Sequence, residues 1–344
     1  YTGNVKHPGD YDYIKQGRGH NVCLAVSHDG KTVASKQCLL YNKDYPAGLT
    51  CHVRDPKVFA YEGKYYMVLG ARTLEDKGEV LVLESIDKLH WTHINTLTTP
   101  EAFGYMWECP DLFCLDGQWY LAVSPQGIQC QNVYGCGYFA VYGDWRGECT
   151  LGEFHEMDSG FDYYAPQSFV DENGRRIQIG WMGMPDADYG NSPTVAHGWQ
   201  HCFTVPRLLT KGENGTLLQN PVPELDARRS AAALTLRNGE EASLSPCFDL
   251  TAAPAGDFAL TVAHGVELVY TEQDSTCVLQ FTDPAQASGR TQRRTKLSAP
   301  CRSVRVVGDR SSLEIFLNDG AAVFSTRYYP AAGDVAVKIS GTDA

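Results

Sequence analysis

Three short stretches of the chain place ionisable or polar side chains directly before a proline. The pairs that precede Pro56, Pro110 and Pro166 are Arg54 and Asp55, Glu108 and Cys109, and Tyr164 and Ala165. Glycosidic bond cleavage uses two carboxyl groups in one pocket, because one must give a proton to the leaving oxygen while another stays ionised beside the sugar. Asp55 and Glu108, with Arg54 as a neighbouring cation, fit that chemistry if they share a pocket. Taken singly, each acid also fits a plain structural role, capping a turn or pairing with Arg54.

A repeated pattern of strands favours the shared pocket. "PKVFAYEGKYYMVLG" begins at Pro56, "PDLFCLDGQWYLAVS" at Pro110 and "PQSFVDENGRRIQIGW" at Pro166. Each copy has Phe three residues after the proline and Gly seven or eight residues after it, and the prolines are 54 and 56 residues apart. A period near ~50 residues with about four strands per unit is typical of a β-propeller, whose equivalent positions face one central channel. The alternative is a set of hairpins that share turn chemistry by chance.

The rest of the chain also has the pattern of strands. Apolar residues alternate in "KYYMVLGA", "QWYLAVS", "RIQIGWMG" and "SLEIFLN", and Gly, Asp, Asn or Pro bound each run. The prediction is an all-β chain with a β-propeller domain at 1–215. The Pro-containing stretch at 214–230 interrupts the repeat and indicates a connector. Short alternating strands follow, which predict a C-terminal β-sandwich domain at 228–344 that supports the propeller.

Composition narrows the class of partner. The formal net charge is −12 and no block of Lys and Arg is dense enough to follow a phosphate backbone, so nucleic acid is excluded as a partner. No apolar run reaches the ~18–20 residues that span a bilayer, so no membrane segment is predicted.

Cysteine and histidine usage gives no sign of a bound metal or cofactor. The twelve cysteines are spread singly, without a C-x-x-C pair, and predict mostly buried thiols in a reducing, cytoplasmic compartment. His52, His155 and His201 lack metal-ligand spacing and are interpreted as ordinary surface or core residues.

Five ordered motifs resemble those of glycoside hydrolase family 32, the β-fructofuranosidases, and especially its bacterial sucrose-6-phosphate hydrolase and invertase branch. The motifs are "YTGNV" at the start, "RDPKVF", "WECPDLF", "GFDYYAPQSF" and "IGWMG", and the tail "DRSSLEIFLNDGAAVFSTRYYP" resembles the closing strands of the family's C-terminal β-sandwich. The resemblance implies a five-bladed type of propeller and a retaining hydrolase of β-fructofuranosidic bonds. Sucrose, sucrose 6-phosphate and short fructans are the substrates it implies.

The resemblance also assigns roles to particular residues. Glu108 falls at the position of the general acid/base. Asp55, with Arg54 beside it, falls at the position of the aspartate that binds fructosyl hydroxyls and stabilises the transition state. Tyr164 and Trp181 match aromatic residues that line the sugar site, although Trp181 also fits a plain core role.

One family motif has no counterpart. The family's nucleophile is an aspartate in an Asn-Asp-Pro-Asn-Gly-like motif, and the nearest stretch, "FTDPAQ" at 281–286, lies in the tail domain. We therefore expect an N-terminally incomplete propeller with fewer than five complete blades, and negligible hydrolysis by these 344 residues alone. An inactive, carbohydrate-binding relic and a protein-interaction scaffold remain as alternatives. The exposed blade edge would then pair with a second copy or another chain.

Overall fold

The computed structural model describes residues 1–230, 233–331, 333 and 335–341. Within them the regular secondary structure is almost entirely β-strand, which confirms the all-β prediction. The described residues contain two four-residue α-helices, α1 (Ser192–Val195) and α2 (Pro284–Ala287). Three short 3-10 helices cover Asn42–Asp44, Glu213–Gly215 and Pro223–Arg228.

The chain divides into two compact units. The first comprises Tyr1–Cys130 with Tyr134–His155, and the second Gln131–Val133 with Glu156–Ala344. The first unit holds an antiparallel sheet of three strands, β1 (Thr2–Lys6), β2 (Arg18–Val26) and β3 (Ser35–Leu40). A four-stranded sheet follows, with β4 (Leu49–Tyr61), β5 (Lys64–Thr73), β6 (Gly78–Ser85) and β7 (Thr92–Leu97). A third sheet has β8 (Met106–Leu115), β9 (Gln118–Gln126), β10 (Gly137–Gly143) and β11 (Cys149–Glu156).

The second unit begins with one more sheet of the same kind. It contains β12 (Tyr164–Val170), β13 (Arg176–Met182), β14 (Cys202–Phe203), β15 (Arg207–Lys211) and β16 (Leu217–Pro221).

Two further sheets complete this unit. The strands are β17 (Glu241–Leu244), β18 (Cys247–Ala252), β19 (Phe258–Val262), β20 (Val266–Thr271), β21 (Thr276–Phe281), β22 (Gln292–Lys296), β23 (Val304–Asp309), β24 (Ser312–Leu317), β25 (Ala322–Arg327) and β26 (Val335–Gly341). One sheet has the order β17-β26-β19-β20-β21-β22 and the other β18-β23-β24-β25. They enclose one apolar core, with strands alternating buried and half-buried residues as in β19, so the sandwich prediction is confirmed.

Apolar burial explains how the sheets of the first unit stack. Consecutive residues of β5 point to opposite faces. Val68 packs in a cluster shared with the third sheet, while Leu69 packs in a cluster shared with the first sheet. Both side chains are fully buried. The middle sheet is therefore covered on both faces by its neighbours, as a propeller blade is.

The repeated prolines mark a repeated β-bulge. In β4, β8 and β12 two residues oppose one on the next strand, namely Asp55–Pro56 opposite Leu69, Cys109–Pro110 opposite Val123, and Ala165–Pro166 opposite Gly180. Proline has no N–H to donate to the ladder, so it suits the unpaired position of a bulge. The residue before each proline is left-handed, with φ of 64°, 50° and 50°. A non-glycine residue rarely adopts this conformation, and such local strain is concentrated at functional sites.

A glycine lets the second and third sheets of the first unit approach closely. Gly70 lies opposite Arg54 in the β4–β5 ladder. A Cβ at Gly70 would collide with the backbone carbonyl of Trp107, which immediately precedes Glu108. The absence of a side chain at this position therefore brings Glu108 towards Arg54.

The cysteines depart from the sequence prediction. All twelve are free thiols, but the four that are buried are Cys51, Cys136, Cys277 and Cys301. Cys114 and Cys247 are exposed and the other six are half-buried. The prediction of mostly buried thiols is wrong, because many of these residues lie at strand ends and on outer strands, where a small side chain needs no enclosed space.

Candidate active site

Arg54 and Glu108 form the centre of the candidate site. Arg54 donates from Nε and Nη2 to Glu108 Oε1 over 3.2 and 2.7 Å. The other carboxyl oxygen, Oε2, accepts a hydrogen bond of 2.9 Å from Gln126 Nε2 on β9. Both side chains of the ion pair are largely shielded from solvent, with 16% and 17% exposure. Charge-assisted bonds of this length fix the position of the carboxyl group in a way that an exposed pair does not.

Asp55 lies near the same guanidinium as Glu108. Asp55 Oδ2 lies 3.9 Å from Arg54 Nε and accepts a hydrogen bond of 3.0 Å from the Cys109 backbone N–H. Since Arg54 Nε lies 3.2 Å from Glu108 Oε1, the two acidic oxygens must be closer together than the ~9.5 Å limit for paired glycosidase carboxyl groups. The Asp55 backbone N–H donates to Thr2 Oγ1 over 2.9 Å.

Some of the groups around Asp55 raise the pKa of its carboxyl group and others lower it. Burial raises the pKa of the Asp55 carboxyl above its ordinary value, and the neighbouring Glu108 carboxylate adds to that rise. The hydrogen bond from the Cys109 backbone and the positive charge of Arg54 oppose it. Burial also raises the pKa of the Cys109 thiol well above its usual range, with the Asp55 charge second in importance. Cys109 is therefore a thiol at neutral pH and not a nucleophile.

His52 lies beside these groups, although the sequence pattern indicated an ordinary surface or core histidine. It lies two residues before Arg54 on β4, on the same face of the strand. Its Nδ1 is 2.6 Å from Arg54 Nη1. Burial, and next the charge of Arg54, lower the pKa of His52 to about 3, so the ring is neutral and accepts this hydrogen bond. The spacing of two from Arg54 was the available signal in the sequence, whereas nothing local indicated Gln126.

The two predicted aromatic residues lie in the second unit. Tyr164 and Trp181 oppose each other in the β12–β13 ladder, and their ring centroids are 6.5 Å apart in an edge-on arrangement. Trp181 also meets His201 edge-on at 4.8 Å and pairs in register with Phe203, whose side chain is 74% exposed. Tyr164 is buried and Trp181 half-buried. Arg54, Asp55 and Glu108 are brought together in the first unit, and Tyr164 and Trp181 are brought together in the second.

No group of three His, Cys, Asp or Glu side chains within the described ranges is arranged to hold a metal ion. None of the described helices is long and apolar enough to cross a membrane.

Comparison with known proteins agrees with the fold. The family model described as Glycosyl hydrolases family 32 N-terminal domain matches residues 1–221, and that described as Glycosyl hydrolases family 32 C terminal matches residues 212–343. The chain is 37% identical to the sucrose-6-phosphate hydrolase of Bacillus subtilis (strain 168), over 99% of this chain and 73% of that protein. It is 32% identical to the raffinose invertase of Escherichia coli, over 96% of this chain and 71% of that protein.

Solved structures show the same architecture. The Bombyx mori GH32 beta-fructofuranosidase superposes with a TM-score of 0.84 at 26% identity, covering 100% of this chain and 74% of that one. A variant of that enzyme has been solved in complex with sucrose. An all-β array of blades followed by a sandwich, with two carboxyl groups on one guanidinium, places the chain among the glycoside hydrolases. The chain belongs to glycoside hydrolase family 32, as both of its family models match in order along the whole length.

Proposed function

We propose that this chain carries the acid/base and transition-state-stabilising groups of a β-fructofuranosidase that cleaves sucrose or sucrose 6-phosphate with retention. The observation that supports this most directly is the single guanidinium of Arg54, which contacts both Asp55 and Glu108. The names of the relatives, sucrose-6-phosphate hydrolase and raffinose invertase, support the substrate class.

In this proposal Glu108 is the general acid/base. Its carboxyl group gives a proton to the glycosidic oxygen as the bond from that oxygen to the fructosyl carbon breaks and the carbon bonds to a nucleophilic carboxylate, whose family motif matches no stretch of this sequence. Glu108 later takes a proton from the water that displaces this carboxylate and releases fructose. Arg54 and Gln126 hold its two oxygens, so the carboxyl group is oriented before substrate binds. Such preorganisation avoids a loss of conformational freedom at the moment of reaction.

Asp55 serves as a fixed negative charge beside the oxocarbenium-like centre and as an acceptor for fructosyl hydroxyls. The bulge at Pro56 and the Cys109 backbone N–H hold it in place. Tyr164 and Trp181 are proposed to bind the sugar through their rings. The proposed compartment is reducing and cytoplasmic, which the twelve free thiols support. The domain boundaries at 1–215 and 228–344, and pairing with a second copy or another chain along a blade edge, stay predictions.

The test is glucose release from sucrose, and glucose 6-phosphate release from sucrose 6-phosphate. Because the nucleophile motif matches no stretch of the sequence, the 344 residues are assayed beside a version preceded by an Asn-Asp-Pro-containing blade. We expect the extended version to be active and the 344 residues to be nearly inactive. Glu108→Gln should lower kcat of the active version by ~10²–10⁴-fold, because an amide has no proton to deliver. The exposed Glu101→Gln is the matched control, and full activity in Glu108→Gln would remove Glu108 from the acid role.

The second candidate function is carbohydrate binding without turnover, favoured by the missing Asn-Asp-Pro stretch. Calorimetric titration with sucrose separates the two. Binding to the 344 residues, together with inactivity of the extended version, would favour this second function.

A further inference from the structure

Arg18 presents hydrogen-bond donors that find no acceptor within the described chain. It lies at the start of β2 and is half-buried. Its Nη1 is 3.5 Å from His52 Nε2, and its Nε is buried with no hydrogen-bond partner. In the part of the chain that the structure describes, Arg18 forms no salt bridge. A buried N–H group without an acceptor is costly, because it has lost its hydrogen bond to water and formed no other in exchange.

The contact between Arg18 Nη1 and His52 Nε2 brings two hydrogen-bond donors together. Arg54 Nη1 lies 2.6 Å from His52 Nδ1 and an arginine cannot accept, so Nδ1 is the acceptor of that bond. A neutral imidazole has one accepting nitrogen, so His52 Nε2 must carry the proton. The N–H groups of Arg18 and His52 therefore converge on the same space.

A third polar group lies at the same place. His20 is 4% exposed, and its ring meets that of His52 edge-on with centroids 5.2 Å apart. Its Nδ1 is buried without a hydrogen-bond partner. The charge of Arg54 is balanced by Glu108 at 2.7 Å, but no described carboxylate balances Arg18 in this way. The cluster of Arg18, His20 and His52, which we call the donor cluster, is thus suited to an anion.

We propose that the donor cluster binds the phosphate of a sugar phosphate monoester and so favours sucrose 6-phosphate over sucrose. The proposal rests on the function proposed above. Arginine binds phosphate through two parallel N–H groups, and the His52 Nε2–H adds a third donor. Its position also fits. Arg54 contacts both His52 of the donor cluster and Glu108. In sucrose 6-phosphate one glucosyl ring separates the phosphate from the glycosidic oxygen.

The kinetic test compares two substrates in the active, extended version. Arg18→Gln should lower the ratio of kcat/KM for sucrose 6-phosphate to kcat/KM for sucrose by about 10–100-fold, mainly through KM, as expected for loss of a charged hydrogen bond. Arg18→Lys should recover part of that ratio, because the charge is kept while the paired N–H geometry is lost. Lys36→Gln, a change of equal charge at an exposed position of β3, should leave the ratio unaltered. An unchanged ratio in Arg18→Gln would overturn the proposal.

A binding test needs no turnover and uses the 344 residues directly. Titration with glucose 6-phosphate and, separately, inorganic phosphate is followed by calorimetry, with circular dichroism to verify that each variant is folded. Glucose 6-phosphate should bind more tightly than inorganic phosphate, and Arg18→Gln should weaken it about 10–100-fold. Equal binding of both would overturn the substrate assignment and leave a free-phosphate site, and no binding of either would overturn the site itself. Failure to hydrolyse either sugar would count against the proposed function, whereas these titrations would still decide the anion site.

Discussion

At the scale of single residues, one guanidinium organises the site. Arg54 contacts Glu108, Asp55 and His52 at distances of 2.7, 3.9 and 2.6 Å. Each of these groups is therefore positioned relative to the others by a shared partner. A substitution of Arg54 would remove the shared partner of both carboxyl groups. The effects of substitutions at Arg54, Asp55 and Glu108 should therefore not be additive.

The buried histidine of the donor cluster predicts an acid-sensitive stability. Burial, and then the charges of Arg54 and Arg18, lower the pKa of His20 to about 4. In the unfolded chain His20 binds a proton near pH ~6.5, so its contribution is complete above that value and is lost as pH falls towards about 4. The slope is at most about 1.4 kcal/mol per pH unit.

Urea unfolding at pH 7 and at pH 5 measures this contribution. Between pH 7 and pH 5, the free energy of unfolding should fall by about 1–2 kcal/mol more in the parent protein than in His20→Gln. His28→Gln, at an exposed position, should lose as much as the parent. An equal loss in the parent and in His20→Gln would show that folding does not lower the pKa of His20.

At the scale of the element, the repeated bulge explains why a proline follows each pair of candidate residues. In each bulge the residue before the proline has a left-handed backbone conformation. Asp tolerates that region better than most residues do, because its short polar side chain bonds locally. Ala165 has no such compensation, so its backbone is strained at φ of 50°.

Ala165→Gly should be neutral or stabilising by up to ~1 kcal/mol. Glycine removes the ~1–2 kcal/mol penalty of a left-handed residue. It also loses more backbone conformational entropy on folding, which destabilises the protein by ~0.5–1 kcal/mol. Ala60→Gly is the control, because Ala60 is an exposed residue of β4 whose φ is negative, and it should be destabilising by ~0.5–1 kcal/mol. Thermal and urea unfolding check both variants. Equal destabilisation would mean that the bulge at Ala165 carries no strain.

At the scale of the whole molecule, a buried charge network holds the second unit together. Arg207 on β15 is fully buried and donates to Asp158 and Glu314 over 3.1 and 2.8 Å. It also donates to Ser325 on β25 and to Gln219 on β16. The sheet of β12–β16 is thereby tied to the sandwich strands β24 and β25. These contacts account for the inclusion of that sheet in the second compact unit.

Arg207→Leu should lower the free energy of unfolding by ~3–5 kcal/mol. The substitution leaves two buried carboxylates without their cation, and breaking a buried pair costs more than the pair itself stabilises. Arg302→Leu is the control, since Arg302 and Glu272 form an exposed pair at 2.7 Å that should contribute ~0–1 kcal/mol. Chemical unfolding followed by tryptophan fluorescence measures both. A loss below about 1 kcal/mol in Arg207→Leu would mean that the network stabilises nothing beyond a surface pair.

The sequence by itself determined the fold class and the partnership of Asp55 and Glu108. Alternation of apolar residues is a local property of a strand. In a repeated unit, residues at equivalent sequence positions occupy equivalent places in the structure, so they can be aligned before the packing is known. Both signals can be found by counting along the chain. The prolines at 56, 110 and 166 were therefore enough to align the strands whose bulges hold the carboxyl groups.

Tertiary structure alone decided which other groups meet those carboxyl groups. Gln126 on β9 contacts Glu108, and Arg18 on β2 contacts His52. These residues are far apart in the sequence, so no local pattern predicts the contacts. Whether a thiol is buried is likewise a property of the packed sheets, which is why the cysteine prediction was wrong. Hydrogen-bond partners between strands depend on register and on the approach of one sheet to another. Such contacts arise when the sheets pack, so a one-dimensional pattern does not contain them.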